Sequence, residues 1–229
     1  NAWPLDENMI DYTIDADGEK TRGNIIDSPG VFTPGGEGSS SVDVSEITVE
    51  AITALNENGG EANVASGYHA VEFLLWGQDQ DYANFVVDSI THGALQAGDR
   101  PLSDFTDDKH AKRRLAYLKA ATDKLVQDLE LVKGAWEKEV SGQNGLYRQA
   151  FLGKGDNAID TKQALAQVFS GMGVFMKSEL ANERIAVAVL TPSEEDEHSC
   201  FSDNTHRDIA TNYQGFKNVL MGTYKAKHY

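Results

Sequence analysis

Apolar residues in this chain recur mostly at helical spacing, and glycines cut that pattern into segments. In VSEITVEAITALNENGG, Ile47, Ala51, Ile52 and Leu55 share one face, Ser45 can cap the helix, and Gly59-Gly60 stops it. The next helix is predicted over 61–76, closed by Gly77. The strongest periodicity spans 109–140, where Leu115, Leu118, Ala121, Leu125, Leu129 and Val132 recur with charges on the other face. SGQNG breaks that helix, and further helices are predicted over 146–152, 161–189 and 206–224. Gly171 and Gly173 lie inside the 161–189 helix at a cost of about 1 kcal/mol each, which predicts close packing there. Residues 3–12, WPLDENMIDY, read as a short helical piece with Pro4 in its first turn.

Elsewhere the pattern fades. Residues 13–41 are rich in Gly, Asp, Ser and Pro and have no core-forming period, so that loop is expected to be functional or poorly ordered. Residues 77–108 are mixed, with QAGDRPLSDFTDD clearly loop. No segment reads as a strand. The fold class is therefore all-α, built as helical bundles with long irregular loops.

Charge narrows the range of partners. Twenty basic against 36 acidic residues give a net charge of −16, which excludes a nucleic-acid backbone as partner. Residues 1–61 hold thirteen acids and only two bases, Lys20 and Arg22. That is either a solvated acidic surface or a face that attracts cations or basic partners. Cys200 is the only cysteine, so no intramolecular disulfide and no cysteine cage for zinc can form. No apolar run approaches the roughly 20 residues of a membrane-spanning helix. The chain opens on Asn1, as a trimmed or processed chain does, so the missing leader says nothing of compartment.

Two polar residues interrupt the predicted 61–76 helix. His69 and Glu72, three apart, fall on one face with Cβ atoms about 5–6 Å apart. Val64, Tyr68, Ala70, Val71, Phe73, Leu74, Leu75 and Trp76 make this helix apolar nearly all round, so burial is expected. A buried pair must be satisfied by mutual hydrogen bonding or by a bound group. Imidazole and carboxylate are ligands for zinc, iron and manganese, although two donors are too few for a metal site. Candidate helpers are Asp11, Glu179, His198 and His206. Glu179 lies four residues before Glu183, beside Arg184, and Asp11 follows the apolar Met9-Ile10. His198 and His206 share one polar cluster with Cys200, Ser202, Asp203 and Asp208. Asp203, Asn204 and Thr205 also suit a helix N-cap, and Asp208 its first turn. No His-Glu-x-x-His, Gly-x-Ser-x-Gly, P-loop, dinucleotide fingerprint or covalent-haem motif is present.

Several of these segments, taken in order, resemble one family. NAWPLDENMIDY, NVASGYHAVEFLLWGQD, RRLAYLKAATDKLVQDLELVKGAW, GMGVFMKSELANERI and HSCFSDNTHRDI are similar to the imelysin-like family, and to its bacterial iron-regulated protein A group. The family's Gly-x-His-x-x-Glu signature is matched by Gly67, His69 and Glu72. The resemblance implies two related four-helix-bundle-like halves, here 1–141 with the signature and 142–229, incomplete at both chain ends. It implies an exported protein, periplasmic or lipid-anchored at a bacterial envelope, iron-regulated and linked to iron acquisition. The expected partner is a metal ion (iron or zinc) or an iron-containing ligand, with another envelope protein as a further candidate. The alternatives are a metallopeptidase, an activity carried in the family name, and a haem- or partner-binding module without its own metal.

Overall fold

The computed structural model describes residues 5–15, 17–79, 97–137, 145–190 and 196–224. By its internal contacts the chain divides into two units, Asn1–Leu129 and Glu130–Tyr229. The all-α expectation holds. Strand is confined, among the described residues, to β1 (Val31–Phe32) and β2 (Val42–Asp43), paired antiparallel with Val31 opposite Asp43.

In the first unit, α1 (Glu7–Ile10) is a single turn capped by Asp6, whose carboxylate accepts from the Met9 N–H. Trp3 and Pro4 of the predicted 3–12 piece lie outside the described residues. Of the two expectations for 13–41, poor order is not met in its described residues, which supply core that no apolar period foreshadowed. Ile25 and Ile26 are buried outright, and Phe32 nearly so. Segments without regular structure can be buried only if their backbone groups find partners. Here the Ile25 and Ile26 N–H groups donate to the Met9 and Ile10 carbonyls. The Arg113 guanidinium donates to four carbonyls at once: Nε to Ile26, Nη1 to Ser45, and Nη2 to both Ile25 and Val44, all at 2.9–3.0 Å.

The α2 helix (Val49–Leu55) buries Ala51, Ile52 and Leu55 as the pattern predicts. Its cap is Thr48 rather than Ser45. Ser45 is drawn away, since both its N–H and its hydroxyl donate to Asp43. The α3 helix (Tyr68–Trp76) starts seven residues later than predicted. The Asn56 side chain explains the delay by accepting from the Ala65 and Ser66 N–H groups, which holds that stretch out of a helix.

After the one-turn α4 (Ser103–Thr106) comes the longest α-helix, α5 (Ala111–Trp136). Its buried face is not the leucine stripe. Leu115, Leu129 and Val132 are exposed, while Ala111, Arg114, Tyr117, Ala120 and Ala121 are buried. Two long polar-tipped side chains occupy this face because both tips are satisfied. Arg114 meets an aspartate, and the Tyr117 hydroxyl donates to the Ala65 carbonyl at 3.0 Å. Burial, and after it the charge of Asp11, pushes the Tyr117 phenol far above its ordinary range.

In the second unit, α6 (Leu146–Phe151) brings Tyr147 and Phe151 edge-on to Trp136, with ring centroids 4.8 and 5.7 Å away. A continuous helical run matches the predicted 161–189. It begins as α7 (Thr161–Val174), capped by Asp160, turns π-helical over Phe175–Ala186 and ends in α8 (Val187–Leu190). The expected close packing at Gly171 and Gly173 is not found among the described residues, for a Cβ at either would meet none of them within 4 Å. A 3₁₀ turn, Cys200–Ser202, leads into α9 (Thr205–Met221), which packs along the π-helical segment. Among the described residues the buried apolar ones here are Ala164, Leu180, Cys200 and Phe201. Among the described residues no helix is long and apolar enough to cross a membrane.

Candidate functional site

Helix α3 is punctuated by glycine at both ends. Gly67 occupies the N-cap at φ 103°, a conformation that residues with a Cβ rarely adopt. Glycine lets the backbone take this shape immediately before the helix, whose first turn carries His69. Gly77 ends the helix, its N–H donating to the Phe73 carbonyl at 2.7 Å. The helix is not buried all round as expected. His69, Ala70, Phe73 and Leu74 are buried, while Tyr68, Leu75 and Trp76 are exposed.

On the buried face, His69 Nδ1 and Glu72 Oε2 lie 3.0 Å apart. Their side chains are only 4% and 11% exposed, so this contact is largely shielded from water. The pairing anticipated from the i, i+3 spacing is therefore formed.

Arg100 secures the far end of α3. Its N–H donates to the Trp76 carbonyl and its Nη2 to the Phe73 carbonyl, at 2.8 and 3.2 Å. Only a glycine at 98 permits this crossing, since a Cβ there would clash with the Trp76 carbonyl oxygen. Arg100 Nη1 also donates to Asp11 and Asp104, at 2.8 and 3.2 Å. Arg114 completes the network by gripping both Asp11 oxygens, through Nε at 2.6 Å and Nη2 at 3.1 Å. Lys20 lies over the Tyr12 ring, and the Tyr12 hydroxyl donates to Asp104. Burial first, then the Asp104 hydrogen bond, raises the Tyr12 phenol well above its usual range.

These contacts decide what Asp11 does. Its carboxylate accepts from two guanidiniums and the Tyr12 N–H, so it anchors a buried ion network. Arg100, Arg114 and Asp104 did not stand out in the sequence. Their partners lie up to 103 residues away, and no local pattern records such a pairing.

In the second unit, His198 Nδ1 lies 2.9 Å from Asp208 Oδ2, and the Ser199 hydroxyl donates to the same oxygen. The Ser199 N–H donates to the Thr205 hydroxyl oxygen, fixing the turn before α9. Burial pushes the neighbouring Glu197 carboxyl up. His206 is exposed in the first turn of α9, and Glu179 is exposed on the π-helical segment. Cys200 is a buried free thiol. Among the described residues no three or more His, Cys, Asp and Glu side chains gather as a metal-binding group.

The fold and this pair define an α-helical protein with a shielded imidazole–carboxylate contact on a glycine-bounded helix. The imelysin family model, whose title also carries the word peptidase, matches residues 1–227. The chain belongs to the imelysin family. No curated protein matches it closely enough to lend it a function.

Proposed function

We propose that this is an iron-linked, metal-binding imelysin-like protein of the bacterial envelope, with its site centred on His69 and Glu72. The observation that carries this reading is the 3.0 Å apposition of an imidazole and a carboxylate, both shielded, on a helix held at each end. Iron and zinc both accept these donors. His69 and Glu72 fit such an ion as part of its coordination, and a complete site needs further donors. The envelope location and the iron link rest on the resemblance of the segments quoted above.

Elemental analysis of protein purified without chelators tests the proposal, followed by titration of iron and zinc into the wild type and the His69→Ala/Glu72→Ala double variant. Stoichiometric metal that disappears in the double variant is expected. Unchanged affinity in that variant refutes the metal role. The family title favours a second reading as a metallopeptidase. Cleavage that persists in chelator, or in His69→Ala, excludes a metal-dependent version of it.

A further inference from the structure

We infer that the outer face of α3 is a docking surface for a cationic amphipathic segment of a partner protein, one that offers an apolar stripe with lysine or arginine at its ends. The inference needs no metal and stands apart from the reading above.

Helix α3 has two apolar faces, and only one of them is covered. Ala70, Phe73 and Leu74 are buried, while Tyr68, Val71, Leu75 and Trp76 recur at the i, i+3, i+7 and i+8 spacing of the opposite face. Tyr68, Leu75 and Trp76 expose 53, 43 and 39% of their surface, and Val71 is half-buried. Glu72 shares this side of the helix, but its carboxylate turns to His69. A helix that is apolar all round is ordinarily enclosed, so an uncovered apolar stripe rimmed by polar groups marks a contact surface. The stripe is also held rigid before any partner arrives. Gly77 closes the helix, and Arg100 grips the Phe73 and Trp76 carbonyls.

Charge selects the occupant, because exposed carboxylates stand at both ends of the stripe. At the C-terminal end the Ile14 N–H donates to the Gln78 side-chain oxygen at 2.7 Å, which brings up a tight turn carrying Asp15, Asp17 and Glu19. The Asp15 carboxylate accepts from the Asp17 and Glu19 N–H groups and keeps that turn in shape. Asp99 is exposed where the chain crosses the Trp76 carbonyl. At the N-terminal end Asn56 holds the Ala65 and Ser66 N–H groups, beside the turn with exposed Glu57 and Glu61. Lys20 is drawn to Asp104 and the Tyr12 ring, and only Arg22 remains of the bases in residues 1–61. Basic groups on a partner therefore meet acids at each end while its apolar stripe covers Tyr68, Leu75 and Trp76. A second copy fits poorly. Each copy brings a net charge of −16, and a stripe two helical turns long falls well short of the roughly 800 Å² per partner of a stable dimer. Anionic lipid is repelled by the same charge.

The test is fluorescence anisotropy of a labelled helical peptide of leucine and lysine, its leucines at i, i+3 and i+7, titrated with the full chain. A scramble of the same composition without the stripe, and a leucine–glutamate peptide of the same pattern, serve as comparisons. The leucine–lysine peptide is expected to bind, and the other two to bind far more weakly. Leu75→Arg should weaken binding at least about tenfold. Leu131→Arg, at a more exposed leucine of α5, should leave it unchanged. Asp17→Asn with Glu19→Gln should weaken binding and flatten its dependence on salt. Tyr68→Ser gives a second way to break the stripe if Leu75→Arg does not fold, which circular dichroism reads. The inference is overturned if the leucine–lysine peptide does not bind, if either comparison peptide binds as well, or if Leu131→Arg costs as much as Leu75→Arg. Self-association that Leu75→Arg abolishes, or binding to phosphatidylglycerol vesicles through this face, also overturns it, because the occupant is then a second copy or a membrane.

Discussion

Replacing Asp11 with Asn should destabilise the first unit severely. Asp11 receives four hydrogen bonds, three of them from guanidiniums whose side chains are 1% and 2% exposed. Asn keeps the volume, removes the charge and turns one acceptor into a donor aimed at an arginine. Breaking a buried ion pair from one side costs about 3–5 kcal/mol, because the remaining charge stays in the interior. Arg100 keeps Asp104, while Arg114 keeps the Asp104 carbonyl and a 3.5 Å approach to Asp108. The cost therefore belongs near the lower end of that range. With a urea m-value of about 2 kcal/mol per M, the midpoint should fall by roughly 1.5–2 M. Tryptophan fluorescence in a Trp136→Phe background reads the first unit alone, since Trp3 and Trp76 both belong to it. A second variant, Asp11→Leu with Arg114→Met, removes the Asp11–Arg114 pair whole, leaves Arg100 its contact with Asp104, and should recover part of the loss. If Asp11→Asn loses less than about 1 kcal/mol, the network is not the anchor described.

Two further outcomes follow from other parts of the chain. Tyr12 has its phenol raised by burial and by Asp104, so in the native state it keeps its proton after an unfolded tyrosine has lost it. Stability from this residue is therefore whole below about pH 10 and declines above it, by at most about 1.4 kcal/mol per pH unit. Tyr12→Phe should flatten that alkaline decline in urea titrations, and an unchanged slope refutes the assignment. Gly171→Ala together with Gly173→Ala should stabilise the second unit by about 1 kcal/mol per site, because the new methyl groups meet none of the described residues. Thermal melting of the double variant checks this, and a lower midpoint would mean that something packs against that face.

Element existence was legible in the sequence because punctuation was strong. Gly77 ends α3 as predicted, and the 161–190 run is one helix despite its two glycines. Which face each helix buries was less legible. On α5 the periodic leucines drew the eye, yet the buried row contains Arg114 and Tyr117, whose polar tips are answered by Asp11 and the Ala65 carbonyl. Periodicity records hydrophobicity and carries no record of a distant acceptor. For the same reason the 13–41 segment looked coreless, its backbone partner being Arg113. The π-helical stretch was equally hidden, since its composition is that of an ordinary helix. At the candidate site the spacing of His69 and Glu72 was enough to foresee their contact. Which ring nitrogen takes part is a matter of rotamer, and only coordinates reveal it.

Arg113 and Arg114 also have a consequence in time. They are consecutive residues, and they close contacts with positions 25, 26 and 11, between 87 and 103 residues earlier. Contacts of such long sequence separation are slow to form, because the entropy of closing the loop comes before any reward. During synthesis the N-terminal third of this unit must leave the ribosome with its buried carbonyls and Asp11 still unanswered. The unit can close only when the start of α5 emerges. A released chain that ends before residue 113 should remain open to proteases, and one that runs to the end of α5 at Trp136 should resist them.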